Sequence, residues 1–328
     1  MGERAKQIGD KLEEFGEKLY QDFGWIELLR GKEIQCNRSS HKNSDGKKKK
    51  THGVDLLHTC YDPYRNQNQA IITECKNYEW KSIIPSNIEK WVEELVNNLD
   101  CAANDVAIGA LSENFDTINT GILFIHANDG KYDKNIFYDY LDQIKFPIKR
   151  SSQSIYIASD NKFNEWIAMF DYINSNLKPS NSKETTQFKF VYPSIGPSKY
   201  YEQDCITVNH LFSRFVFGKR VFMKEDKSQT KSGMCLQKPC EQSIIFSFDS
   251  FSIDSFRYLY GMFKHFQFEK ADEYIFCFYP QTVNDIEYTK KEFIKSLKTS
   301  PDKFDIDESK ILLEFLKNPE ISRVDNYK

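Results

Sequence analysis

Apolar residues recur at three- and four-residue steps at the start of the chain. Ile8, Leu12, Phe15, Leu19 and Phe23 share one face of an amphipathic helix, and Gly24 ends it. The stretch 38–52 has no such period and is rich in Ser, Asn, Gly and Lys, which predicts a loop. Two strand-like runs follow, 53–60 (GVDLLHTC) and 70–76 (AIITECK), and the turn-forming DPYRNQNQ between them predicts a hairpin. Ser86 and Glu89 have capping-box spacing ahead of a helix whose buried face is Ile88, Trp91, Val92, Leu95 and Leu99.

Beyond this point the pattern alternates. Strands are predicted at 106–111, 121–126 and 154–158, and helices at 134–144 and 161–177. The segment KPSNSKETTQ has no apolar residue, so it reads as a linker at 178–187 between a first domain, 1–177, and a second, 188–328. The second domain reads as α/β, with strands at 188–192, 243–248 and 273–279, helices at 208–217, 253–266, 288–298 and 307–317, and a polar loop at 224–238. The strand-helix-strand-helix order of 243–298 echoes that of 121–177, which reads as generic α/β alternation, with a degenerate duplication as the alternative.

Composition supports two packed domains. The chain has 328 residues, of which 40% are hydrophobic and 15% aromatic, enough to exclude wholesale disorder. A net charge of −3 excludes a uniformly basic nucleic-acid coat, so any positive surface must be local. The densest basic run is Lys47, Lys48, Lys49 and Lys50, with His41, Lys42 and His52 nearby. The eight cysteines form no CxxC pair, and the first residues have no apolar secretion core, which predicts reduced thiols and a cytoplasmic location. No apolar run reaches the length of a membrane span, so no membrane association is expected.

The candidate chemistry lies in the hairpin. Side chains alternate along a strand, so Glu74 and Lys76 share a face with Cys75 opposite, and Asp55 on the paired strand joins them if the register allows. Two adjacent carboxylates repel unless a cation lies between them. Carboxylate oxygens, water and a phosphate suit Mg2+, with Mn2+ as a substitute, and an ammonium beside them can stabilise charge on phosphorus or help to position and deprotonate a water. These residue types match phosphodiester hydrolysis. A second ExK, Glu225-Asp226-Lys227, sits in polar surroundings with no apolar strand and is set aside. His52 and His58 flank Asp55 and read as structural, and Arg214, Lys219 and Arg220 among phenylalanines read as part of an amphipathic element.

The order helix, Asp strand, ExK strand, helix resembles the restriction-endonuclease-like superfamily, written PD-(D/E)xK, over roughly residues 5–105. HGVDLL resembles its GxD form, with Val54 where Pro is common, and ITECKNYEW supplies the ExK. The resemblance implies a mixed sheet flanked by helices, catalytic Asp55, Glu74 and Lys76, and a metal held by Asp55 and Glu74. Gly9, Glu13 and Gly24-Trp25 fit a first-helix pattern that implies a role for Glu13 in the metal's outer shell, with Glu17 as the competing assignment. Polar residues on the helix after ExK often face the site, which implies Asn87 or Lys90 here, and Lys47–Lys50 would contact phosphates. The expected activity is Mg2+-dependent cutting of DNA, as a restriction or antiphage-defence effector that works as a homodimer or with a companion subunit. An inactive binding or assembly module and an RNA-directed nuclease are the alternatives.

Overall fold

The computed structural model describes residues 3–43, 45–146, 152–178, 186–194, 200–226, 236–249, 252–265, 271–279, 286–298 and 308–319. The chain forms two compact units, the first running to Asn164 and the second from Glu165 to Pro319. Most of the expected linker at 178–187 lies outside the described residues. Among the described residues no helix is long and apolar enough to cross a membrane.

The first unit opens with α1 (Glu3–Phe23). Leu12, Phe15, Leu19 and Phe23 are buried as their spacing predicts, while the side chain of Ile8 lies outside the described part. Gly24 takes a left-handed φ of 74°, and the helix closes with Trp25 N donating to the Tyr20 carbonyl at 2.9 Å. Five strands follow in spatial order β1-β2-β3-β4-β5: β1 (Ile26–Gln35), β2 (Thr51–Asp62), β3 (Gln67–Tyr78), β4 (Thr117–Ala127) and β5 (Ser154–Ser159). The first two pairings are antiparallel and the last two parallel. Helix α2 (Pro85–Ala102) links β3 to β4, and α4 (Lys134–Gln143) links β4 to β5, as parallel pairing requires.

The two faces of this sheet are covered differently. Thr73 bonds the Tyr20 hydroxyl of α1, while its neighbour Glu74 bonds Asn98 of α2, so α1 and α2 lie on opposite faces. Glycine permits close approach on each. A Cβ at Gly16 of α1 would come within 2.9 Å of the Leu56 side chain, and one at Gly121 of β4 within 2.9 Å of Leu95 on α2.

Several predicted elements differ. The edge strand β1 is absent from the sequence reading because its charged IELLRGKEIQ does not alternate, a composition suited to an exposed edge. The predicted strand at 106–111 is the short helix α3 (Val106–Gly109), because Asp105 caps it by accepting from Ala107 N at 2.8 Å. Helix α2 starts on Pro85 at its first turn, with no side-chain cap, so Ser86 lies inside the helix.

The second unit begins within α5 (Asp160–Tyr172), which continues as one π-helical turn, Ile173–Leu177. Its sheet has the order β11-β10-β9-β8-β6-β7, from β6 (Gln187–Pro193), β7 (Tyr200–Gln203), β8 (Phe215–Asp226), β9 (Leu236–Ser247), β10 (Glu273–Phe278) and β11 (Ile311–Phe315). Helices α7 (Ile253–His265) and α8 (Ile286–Lys298) link the parallel strands β9, β10 and β11. The helix predicted at 208–217 is only α6 (Val208–Leu211), capped by Thr207, before β8 begins. The polar loop predicted at 224–238 is narrower, since β8 and β9 pair out to Asp226 and Leu236. The helix predicted at 307–317 is the buried strand β11, a short apolar run that periodicity cannot assign.

Apart from the β7–α6 insertion, the second unit repeats the order helix, three antiparallel-paired strands, helix, strand, helix, strand. Strands β6, β8, β9, β10 and β11 pair antiparallel, antiparallel, parallel, parallel, as β1 to β5 do. The echo between 121–177 and 243–298 is therefore displaced by one strand: β9 stands where β3 does, not where β4 does.

Candidate active site

β2 and β3 pair with Leu56 opposite Thr73 and Leu57 opposite Ile72. One further step sets Asp55 beside Glu74, and Cys75 N donates to Asp55 Oδ2 at 2.7 Å across the ladder. Lys76 Nζ donates to Glu74 Oε1 at 2.7 Å and to Glu94 Oε2 of α2 at 3.0 Å. Glu74 Oε2 accepts from Asn98 Nδ2 at 3.0 Å, and the same amide nitrogen reaches the Gly53 carbonyl at 2.8 Å. Asp55, Glu74 and Lys76 are thus gathered at one spot, where a strand hairpin meets the middle of α2.

Burial is the main influence on both carboxyls. It raises Asp55 to about 6, helped by Glu13 and Glu94 and opposed by the Cys75 amide and Lys76. It raises Glu74 further above the ordinary range, helped by the Asp55 charge and opposed by Lys76. Each carboxylate therefore disfavours the other's charge, and an added cation would relieve both. The donors present are hard oxygens with lone pairs beyond those used by Lys76, Asn98 and Cys75, so the set fits Mg2+ or Mn2+. Burial alone would lower Lys76, but Glu74 and Glu94 outweigh it and hold its pKa above the ordinary lysine value. The group is an ammonium, suited to stabilising an anion and unsuited to taking a proton from water.

Residues 1–162 match the family described as the GAPS4 protein PD-(D/E)XK nuclease domain. This part of the chain is a PD-(D/E)XK nuclease domain. No curated protein matches the chain.

Within the nuclease domain, the two acidic candidates on α1 separate. Glu13 is raised first by burial, and its charge acts on Asp55 and Glu74. Glu17 accepts from Arg30 Nη1 at 2.6 Å, whereas Arg30 Nε is 3.8 Å from Glu13, and the other charges acting on Glu17 are Glu27 and Glu14. The α2 candidates are displaced. Asn87 donates to the Ser82 carbonyl at 2.9 Å and Lys90 is exposed, while Glu94 and Asn98, further along the helix, meet the cluster. Their signal in the sequence is helical phase, since both follow Asn87 along one stripe. Lys47, Lys48 and Lys50 are exposed and Lys49 is half-buried. His58 packs at a tilt against Tyr20 with ring centres 4.5 Å apart, and burial lowers it to about 4, so it is a neutral core residue.

Proposed function

We propose that the nuclease domain hydrolyses DNA phosphodiester bonds as a divalent-metal-dependent endonuclease, in cytoplasmic defence against phage or foreign DNA. The reading is carried by one observation: two buried carboxylates with raised pKa values converge on one spot with a lysine held in its charged form. Asp55 and Glu74 would hold Mg2+ or Mn2+, with Glu13 in the outer shell; when bound, the ion supplies Lewis acidity and a water of lowered pKa. Lys76 then neutralises charge that builds on the phosphate oxygens, Glu94 and Asn98 hold Lys76 and Glu74 in place, and Lys47, Lys48 and Lys50 contact the backbone without reading sequence. The defence role rests on the GAPS4 family, an antiphage-defence family. The second unit is assigned to recognition, to pairing of two copies or to binding a companion subunit.

Plasmid cleavage tests this. Wild-type chain is expected to cut in Mg2+ and not without it, and Asp55→Ala and Lys76→Ala to be inert. Cutting that survives both substitutions would overturn the site, loss of single-stranded RNA with intact plasmid would reassign the substrate, and no cutting of either would leave a binding module.

A further inference from the structure

A second cluster lies apart from the carboxylates, and its chemistry is different. Cys36 follows the last residue of β1, His41 lies in the excursion that leads to β2, His52 is the second residue of β2, and Cys101 is in the last turn of α2. All four side chains are buried, and each offers one donor atom within 4.8 Å of the other three. Sequence spacing does not reveal them, because Cys36 and Cys101 are 65 positions apart and neither is in a CxxC pair.

Four of the six donor spacings are those of a tetrahedron, and the other two lie within 4.8 Å. Zinc bonds of about 2.3 Å to sulfur and about 2.0–2.1 Å to nitrogen imply edges of about 3.8 Å between sulfurs, about 3.6 Å between sulfur and nitrogen and about 3.3 Å between nitrogens. Cys36 Sγ and Cys101 Sγ are 3.9 Å apart, His41 Nδ1 is 3.6 Å and 3.5 Å from them, and His41 Nδ1 is 3.3 Å from His52 Nε2. His41 meets the cluster through Nδ1, and its Nε2 faces Asp100 Oδ2 at 3.7 Å, longer than a hydrogen bond but on the side where a carboxylate supports a metal-bound histidine. The donors are two thiols and two imidazoles with no carboxylate among them, a set that selects zinc over magnesium.

We propose that Cys36, His41, His52 and Cys101 bind one structural Zn2+ ion. Four protein donors leave no open position, so the ion is not a second catalytic metal. It ties the strand ends at Cys36 and His52 to α2, the helix that carries Glu94 and Asn98. It also closes the base of the excursion 37–50, which is already laced by the Lys42–Lys48 bridge and by Lys49 N donating to the His41 carbonyl at 2.9 Å. The basic run Lys47–Lys50 is thereby mounted on a fixed support rather than on a free loop.

The test is elemental analysis of the full chain, purified with reductant and without chelator, together with a count of reactive thiols. About one zinc per chain is expected, retained in Asp55→Ala and Glu74→Ala and lost in Cys36→Ser with Cys101→Ser. Exchange of wild-type protein into Co2+ is expected to give the visible absorption of a tetrahedral thiolate site, a readout that does not depend on any variant folding. The proposal is overturned if wild-type chain holds no zinc and takes up no cobalt in that form. It is equally overturned if the folded double variant keeps its zinc, or if the isolated chain carries a Cys36–Cys101 disulfide instead.

Discussion

β3 and β9 occupy the same place in their sheets. Each pairs antiparallel with the strand before it and parallel with the strand that follows the next helix. In β3 the stretch paired with β4 carries Glu74 and Lys76, and β2 beside it carries Asp55. In β9 the stretch paired with β10 is Gln242, Ser243, Ile244, Ile245, Phe246 and Ser247, and the β8 residues opposite run from Phe215 to Arg220 without a carboxylate. Ile244, Ile245 and Phe246 are fully buried. Lys219 and Arg220, toward the other end of these strands, are tied up there: Lys219 meets Glu202 at 3.2 Å and Glu241 at 3.1 Å, and Arg220 stacks on Phe222. One succession of strands thus supports two interiors. An apolar interior is what a helix-covered parallel sheet ordinarily holds, and the acidic one is tolerable only because lysine, asparagine and a backbone amide are built around it. Architecture does not assign the chemistry; the side chains at one crossing of two strands do.

The largest effect expected from this contrast is on cleavage. Asp55→Ala or Glu74→Ala should lower the rate in Mg2+ by on the order of a thousandfold, since each removes a metal donor. Phe217→Leu and Ser247→Ala, at the corresponding crossing of the second sheet, should leave the rate within about twofold of wild type, because fold alone supplies no chemistry there. Single-turnover plasmid cutting measures both. A comparable drop from the second pair would end the contrast.

Lys76 sharpens it. Lys76→Met keeps the aliphatic stem and removes the ammonium, and should cost on the order of a hundredfold in cleavage rate at saturating Mg2+, the usual scale for losing one preorganised charge donor. If Lys76 acted as a base, the wild-type rate would instead rise steeply toward high pH as the amine lost its proton. The held ammonium predicts that any rise, which a metal-bound water also gives, keeps its shape in Lys76→Met, so comparing the two rate profiles well above neutrality separates the two roles.

How far the molecule is legible in its sequence follows from range. Asp55, Glu74 and Lys76 lie on two neighbouring strands joined by a short turn, so period-two alternation puts them on one spot once the hairpin's register is set. The stop at Gly24 is also local. Glu94 and Asn98 escape a sequence reading because helical phase gives the stripe of α2 that faces the site but not how far along it the site lies; phase alone points as readily to Asn87 and Lys90. β1 and β11 escape it for opposite reasons, one being a charged edge and the other a short buried apolar run. The cysteine–histidine cluster needs the fold itself, since Cys101 approaches Cys36 only when α2 packs on the sheet.

A smaller effect appears in stability. Glu74 titrates at about 7 in the fold against 4.5 as its ordinary value, with burial the main cause. The folded chain therefore binds a proton there that the unfolded chain has already released. The stability this confers is complete below 4.5 and disappears as pH rises through 7. In buffer without Mg2+, Glu74→Gln should thus gain on wild type as pH rises through those limits, by on the order of 3 kcal/mol at pH 8, and the gain should shrink toward pH 5. Urea unfolding at the two pH values checks the sign, and added Mg2+ should restore wild type at the higher one. No equivalent gain is expected at Ser247, which has no charge to relieve.

The smallest effect separates the surfaces rather than the interiors. Lys47, Lys48 and Lys50 are exposed on the excursion whose base the proposed zinc would close. The second unit's Lys219 is already neutralised by two carboxylates, and Arg214 meets Asp249 at 2.8 Å. Exposed lysines that neutralise backbone phosphates release counterions on binding, and paired lysines have less to release. Replacing Lys47, Lys48 and Lys50 by alanine should weaken DNA binding uniformly across sequences and flatten the dependence of log affinity on log salt by about 0.9 for each phosphate no longer neutralised. Lys219→Ala should leave that slope unchanged. Binding measured by fluorescence anisotropy over a salt series, without Mg2+ so that no cutting intervenes, tests this. If the slope survives the triple substitution, phosphate binding belongs to another surface, and the excursion's positive charge has a different use.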